Sequence, residues 1–168
     1  VIVEQMTYGG AITRLQRLGV NIVGVAVDHD GLNDAALKTA LEELRRRGIR
    51  PKYIYTIPTV QNPTATVMSE PRRAGILKLS VAYGVPIFED ECYSELVWEG
   101  ARPRALRGMA GDERVIHIGS FSKSIAPALR IGYLVAGCPL LSRILGLKSV
   151  GGSGGTTQMI LAEYCRDR

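Results

Sequence analysis

No apolar run in this chain approaches the roughly 20 residues needed to cross a bilayer, so the sequence offers no membrane-spanning helix. It shows no basic segment followed by a short apolar core and a cleavage site, the pattern of a secretory signal. Cysteine is scarce: Cys92, Cys138 and Cys165 lie far apart and form no CxxC pair. That argues for reduced thiols in a cytoplasmic protein, and against a disulfide framework or a metal site. No GxGxxG follows a strand pattern and no GxxxxGK[ST] occurs, which removes the usual glycine-rich cradles for dinucleotides and nucleoside triphosphates. Charge of one sign is also limited. The net charge is +5, and the densest basic run, "RRRGIRPK" (45–52), closes a helical pattern. Cations there oppose the helix's partial negative end, so the run reads as a solvated helix terminus and no nucleic-acid partner is expected from this segment.

What is present fits one globular domain. The chain has 168 residues, 46% hydrophobic and 22% charged, enough to bury a core. It enters a strand pattern at Val1 and stops at Arg168 inside a helical one. The expectation is therefore a piece of a longer protein, cut at both ends.

Short apolar runs alternate with amphipathic patterns. "VIVEQ" (1–5), "NIVGVAVD" (21–28), "YIYTIP" (53–58), "VPIFEDE" (85–91), "RVIHIGSF" (114–121) and "IGYLVAG" (131–137) read as strands. Between them, Asn33 caps a helix with Leu37, Leu41 and Leu44 on one face and Gly48 as terminator. Glu42–Arg46 and Glu43–Arg47 are its expected i,i+4 pairs. Ser69 caps a second helix carrying Pro71 in its first turn, Leu77 and Val81 inward, and Gly84 as its end. Pro139, Leu141, Ile144 and Leu145 mark a third, to about Leu147. "GGSGG" (151–155) separates it from a last helical pattern. Continuous apolar strands joined by such helices predict an α/β three-layer sandwich with a mostly parallel sheet.

Ligands of such sheets gather beyond the carboxyl ends of the strands, which turns those ends into candidates. They are Asn62; Asp90 and Tyr93; and Ser120, Ser122 and Lys123, with Arg130 seven residues on. Near a second cation an ammonium group loses its proton more easily and becomes an amine nucleophile. An arginine flanked by hydroxyls is a receptor for a phosphate dianion. A carboxylate closing an apolar strand is costly unless paired with a cation; facing a pyridinium nitrogen, it keeps the ring electron-withdrawing. Asn62 and Tyr93 can each donate to a phenolate oxygen on such a ring. Singly, each residue has a plainer reading: a surface lysine, a salt-bridged aspartate, an Asn-Pro turn, a packed tyrosine. Jointly they describe a receptor for pyridoxal 5′-phosphate.

Through "NPT" (62–64), "DECY" (90–93), "SFSK" (120–123) and "RIGY" (130–133), in this order and spacing, the chain resembles the fold-type I aminotransferases of class I/II. Within them it is most similar to the 2-aminoadipate and aromatic aminotransferases and to the aminotransferase-like domain of GntR/MocR regulators. The resemblance implies the central part of the large cofactor-binding domain over residues 1–168, without the N-terminal segment and the C-terminal small domain. It implies Lys123 as the Schiff-base lysine and catalytic proton carrier, and Asp90 on the pyridine nitrogen. Asn62 and Tyr93 fall on the ring oxygen, and Ser120, Ser122 and Arg130 on the phosphate. Tyr8 falls where an aromatic residue covers the ring. It further implies transfer of an amino group between an amino acid and a 2-oxo acid, in a homodimer. Two positions depart from the pattern: Met6 stands for the usual proline, and Ala65 for the glycine of "NPTG", where the loop is expected to shift slightly. The other readings are an effector-sensing domain of a MocR-type regulator, a different reaction on the same cofactor such as elimination or decarboxylation, and a cofactor-free α/β domain.

Overall fold

A computed structural model describes residues 1–111, 114–149 and 152–166. Its central sheet has six strands: β1 (Ile2–Glu4), β2 (Val23–Val25), β5 (Ile54–Thr56), β6 (Ile87–Asp90), β7 (Val115–Ser120) and β8 (Gly132–Val135). They lie in the order β2-β1-β5-β6-β7-β8. All neighbours are parallel except β8, which runs antiparallel to β7. A hairpin of β3 (Val27–Asp28) and β4 (Gly31–Leu32) forms a separate ribbon.

Alternation along the strands feeds two cores. Ile2, Ile54, Ile87 and Val115 face one side, where they pack with Leu37, Leu41 and Leu44 of α2 (Asp34–Arg46) and Ile76 of α3 (Glu70–Tyr83). Val3 and Tyr55 face the other, against Leu15 of α1 (Gly9–Arg17). Helices on both faces make the expected three layers. Remaining helices are α4 (Leu106–Ala110), α5 (Cys138–Leu147) and α6 (Gly155–Arg166). No helix among the described residues is long and apolar enough to cross a membrane.

Local signals set the helix ends. The Asn33 side chain accepts from the Ala36 amide at 2.8 Å and Ser69 Oγ from Arg72, while Gly84 closes α3 with φ +64°. Such caps stabilise a helix by about 1 kcal/mol each.

Several expectations need correction. Val81 is 57% exposed. The inner face of α3 is set by Arg73, Ile76 and Ser80, and Val81 lies one residue, about 100°, around the helix from Ser80. The ion pairs on α2 are Lys38–Glu42 and Glu43–Arg46. The 21–28 run is two strands, because the chain leaves the sheet after Val25 and turns back through Gly31 at φ +81°. Part of the "GGSGG" separator falls outside the described residues, and α6 begins at Gly155. Ala65 adopts φ +58°, so the loop keeps a left-handed residue at the position where glycine was expected.

Candidate active site

The candidate site grows from the carboxyl ends of β5, β6 and β7. Along β6 the side chains alternate. Glu89 points to the interior, where the backbone amides of Leu106 and Arg107 donate to it and His117 Nδ1 lies 2.9 Å away. Asp90, one residue on, points to the opposite face. The Tyr55 hydroxyl donates to its Oδ2 at 2.7 Å and the Cys92 amide to its Oδ1 at 3.2 Å. Burial, followed by a hydrogen bond to Asp90 and its charge, pushes the Cys92 thiol up to about 12, so it stays protonated and unreactive at neutral pH.

Lys123 sits in the turn that follows β7. The turn is built by the Phe121 carbonyl, which accepts from the amides of Ile125 and Ala126, and by Ser120 Oγ, which accepts from the Ser122 amide at 3.2 Å. Lys123 Nζ stands 5.6 Å from the centre of the Tyr93 ring, within cation–π range. Antiparallel β8 completes this end. Ser120 pairs with Gly132, and the Phe121 amide donates to the Ile131 carbonyl. The residue before that pair, Arg130, is thereby delivered to the same end of the sheet as Ser120 and Ser122. An open cavity of about 420 Å³ adjoins Lys123, with Glu91, Ser94, Ser120 and Tyr133 among its walls.

Asn62 lies on the loop between β5 and α3, next to a cis Asn62–Pro63 peptide. Buried Gln61 holds that loop: its Nε2 donates to Glu4 Oε2 and to the Met6 carbonyl, and its Oε1 accepts from the Thr64 amide and hydroxyl. Glu4 also accepts from the Thr56 hydroxyl and the Ile57 amide. Its carboxyl still lies above the usual range, because burial outweighs these bonds. Tyr8 follows β1 and precedes α1, its ring folded over Gly10. Asn62 and Tyr8 thus stand at the same end of the sheet as Asp90, Tyr93 and Lys123. Among these residues the described contacts join only Tyr93 and Lys123 directly; Asp90 is held separately, by Tyr55 and the Cys92 amide.

A second hub ties the β5 and β6 loops together. Arg73, fully buried, donates to the carbonyls of Met68, Pro58 and Arg104, to the Thr59 hydroxyl and to Glu91 Oε1 at 3.2 Å. Glu91 Oε2 is buried with no partner, and burial followed by the Glu89 charge raises the Glu91 carboxyl above its usual range.

Backbone strain gathers in the same loops. Val60, Ala65 and Arg130 are the non-glycine residues with positive φ, at 51°, 58° and 53° among the described residues. Two flank Asn62 and the third is itself a candidate. Such conformations persist where surrounding structure over-determines them, and they cluster at ligand sites.

Sequence reasoning missed Tyr55, Gln61, Glu4 and Arg73. The available signal for Tyr55 was a phenol on the middle of a buried strand, which demands a polar partner. The hubs left no such signal, since they join residues 57 and 18 positions apart.

The donor set suits a phosphorylated pyridine aldehyde: a carboxylate held by two donors for a ring nitrogen, a phenol and an amide for a ring oxygen, one amine, and two hydroxyls and a guanidinium at the same end of the sheet. A family model described as aminotransferase class I and II matches residues 1–168. Aromatic-amino-acid aminotransferase 1 of Thermococcus litoralis is 37% identical over 81% of this chain and 33% of its own length. The HTH-type transcriptional regulator YisV of Bacillus subtilis is 34% identical over 98% of the chain and 33% of its length. Among solved structures, LysN, the α-aminoadipate aminotransferase of Thermus thermophilus complexed with N-(5′-phosphopyridoxyl)-L-leucine, superposes with a TM-score of 0.90. It shares 31% identity over 99% of this chain and 43% of that one. The chain spans about a third of the length of the curated relatives it matches.

Proposed function

The chain belongs to the class I and II aminotransferases, and from that premise we propose that it is the central part of the large, pyridoxal-phosphate-binding domain of an aminotransferase. Its reaction moves an amino group between an amino acid and a 2-oxo acid. The observation that supports this reading is that Asp90 and Tyr93 follow the end of β6 and Lys123 the end of its parallel neighbour β7, with Asp90 held by Tyr55 and the Cys92 amide and Lys123 Nζ 5.6 Å from the Tyr93 ring.

When bound, pyridoxal 5′-phosphate supplies an aldehyde carbon that accepts an amino group and a ring that spreads the electron pair released at the substrate Cα. The chain's own residues do the rest. Lys123 would be the residue that holds the cofactor's aldehyde, and its amine would serve as the proton carrier, as general base and then acid. Asp90 would accept from the ring nitrogen and favour positive charge there. Tyr93 and Asn62 would donate to the ring oxygen, and Tyr8 would cover the ring. Ser120, Ser122 and Arg130 would hold the phosphate, with Arg130 able to make two parallel bonds.

The test is transfer itself. The natural full-length protein, given the cofactor, a 15N-labelled amino acid and an unlabelled 2-oxo acid, should yield a 15N-labelled second amino acid by mass spectrometry. Absence of transfer across all common donors, with the cofactor bound, contradicts an aminotransferase. The same protein is proposed to be a homodimer, which sedimentation equilibrium tests.

A second reading is favoured by the similarity to transcriptional regulators over nearly the whole chain. There the same residues would hold the cofactor as an effector. Sequence-specific DNA binding by the full-length protein, changed by pyridoxal 5′-phosphate, together with no amino transfer, would establish it.

A further inference from the structure

Tyr55 lies on β5 in register with Phe88 of β6, on the same face as Asp90 two residues further along. It is 5% exposed, and its ring packs at 6.1 Å from the Phe88 ring, in the cluster of Val3, Leu15 and Ile57. That packing confines the ring. The hydroxyl, its only polar atom, donates to Asp90 Oδ2 at 2.7 Å.

We propose that Tyr55 is the positioning residue of this site: its hydroxyl fixes the Asp90 carboxylate in the orientation that receives the cofactor's ring nitrogen. The proposal rests on the reading of Asp90 given above. Three features support it. Burial and the neighbouring Asp90 charge raise the Tyr55 phenol far above its ordinary value, so it stays a donor and the bond has one direction. Each carboxylate oxygen then carries one internal donor, Tyr55 on Oδ2 and the Cys92 amide on Oδ1. Together they fix the rotation of the carboxylate and leave its outer acceptor positions for the ring. Finally, a hydroxyl in van der Waals surroundings with no role would have little reason to occur in the apolar cluster, where phenylalanine packs equally well and needs no partner.

The experiment uses the natural full-length protein and 15N-labelled pyridoxal 5′-phosphate. Cofactor affinity and the ring-nitrogen chemical shift are measured for the native protein, Tyr55→Phe, Asp90→Asn and the double variant. Hydrogen bonds to charged groups make losses of about tenfold typical. Tyr55→Phe should therefore bind the cofactor about tenfold more weakly, with the ring-nitrogen resonance moved toward unprotonated pyridine. Added to Asp90→Asn, it should change neither. Native affinity and resonance in Tyr55→Phe overturn the proposal, as does an equal loss in both backgrounds, which would mean packing alone. If Asp90→Asn behaves as native, the reading of Asp90 fails and the proposal falls with it. Should Tyr55→Phe fail to fold, 3-fluorotyrosine at position 55 retains the ring and strengthens the donor. It must shift the ring-nitrogen resonance, and an unchanged resonance overturns the assignment.

Discussion

Replacing Arg73 by methionine should unfold more of this protein than any other single change at the site's edge. The side chain fits the space but deletes five hydrogen bonds, among them the 3.2 Å contact with Glu91. Neutral bonds contribute about 1 kcal/mol each net. A buried carboxylate deprived of its cation adds more, and breaking such a pair from one side costs about 3–5 kcal/mol. That is a large share of the roughly 5–15 kcal/mol that stabilises a domain. The loss should depend on pH in a defined direction. Glu91 is already raised above the usual carboxylate range by burial and Glu89, and losing Arg73 raises it further. A group raised in the folded state favours folding below its unfolded pKa and loses that contribution as pH rises through the folded value. Urea unfolding of Arg73→Met should therefore show a smaller deficit at pH 5 than at pH 8. Arg73→Met/Glu91→Gln should recover part of the loss at pH 8, with a coupling of at least about 1 kcal/mol. A deficit below about 1 kcal/mol at pH 8, or one that ignores pH and Glu91, would refute this account of the hub.

Three further outcomes follow from local geometry. Ala65 holds φ +58°, so Ala65→Gly should leave stability unchanged or raise it by about 0.5 kcal/mol, while β-branched Ala65→Val should cost more than about 1 kcal/mol in thermal unfolding. A Cβ at Gly119 would run into the Tyr133 ring, which lies over it between His117 and Phe121; Gly119→Ala should lower stability by about 1–3 kcal/mol and weaken cofactor binding through the Ser120–Lys123 turn. The hydrogen bond from Arg72 holds the Asp28 carboxyl down at about 2, against 3.8 when free. Its contribution is therefore present above pH 3.8 and fades as pH falls toward 2. For this partly solvated pair it is on the order of 1 kcal/mol, so Asp28→Asn should flatten the acid limb of the stability–pH curve between those values.

Legibility in the sequence followed the range of the interaction. β5, β6 and β7 were readable because Val, Ile and aromatic runs end shortly before Asn62 and at Asp90 and Ser120, and the parallel-sheet rule says where such ends meet. α2 and α3 were readable because Asn33, Ser69 and Gly84 cap them locally. α1 was missed: it starts at a Gly-Gly pair and its cap residue Tyr8 makes no side-chain bond. The reversal of β8 was not legible because an apolar strand reads the same in either direction, yet that reversal is what brings Arg130 to the end of the sheet where Ser120 lies. Tyr55 on Asp90, Gln61 on Glu4 and Arg73 on Glu91 pair distant segments; each polar group was visible, its partner was not.

The central claim is that Lys123 holds pyridoxal 5′-phosphate while Asp90 and Tyr93 engage its ring. The most direct measurement is borohydride reduction of the cofactor-loaded full-length protein, followed by peptide mass mapping, for the native chain and Lys123→Ala. The account predicts one phosphopyridoxyl group on Lys123, and no visible cofactor band or label at that turn in the variant. A label on another lysine, or a native protein that takes up no cofactor, would contradict it.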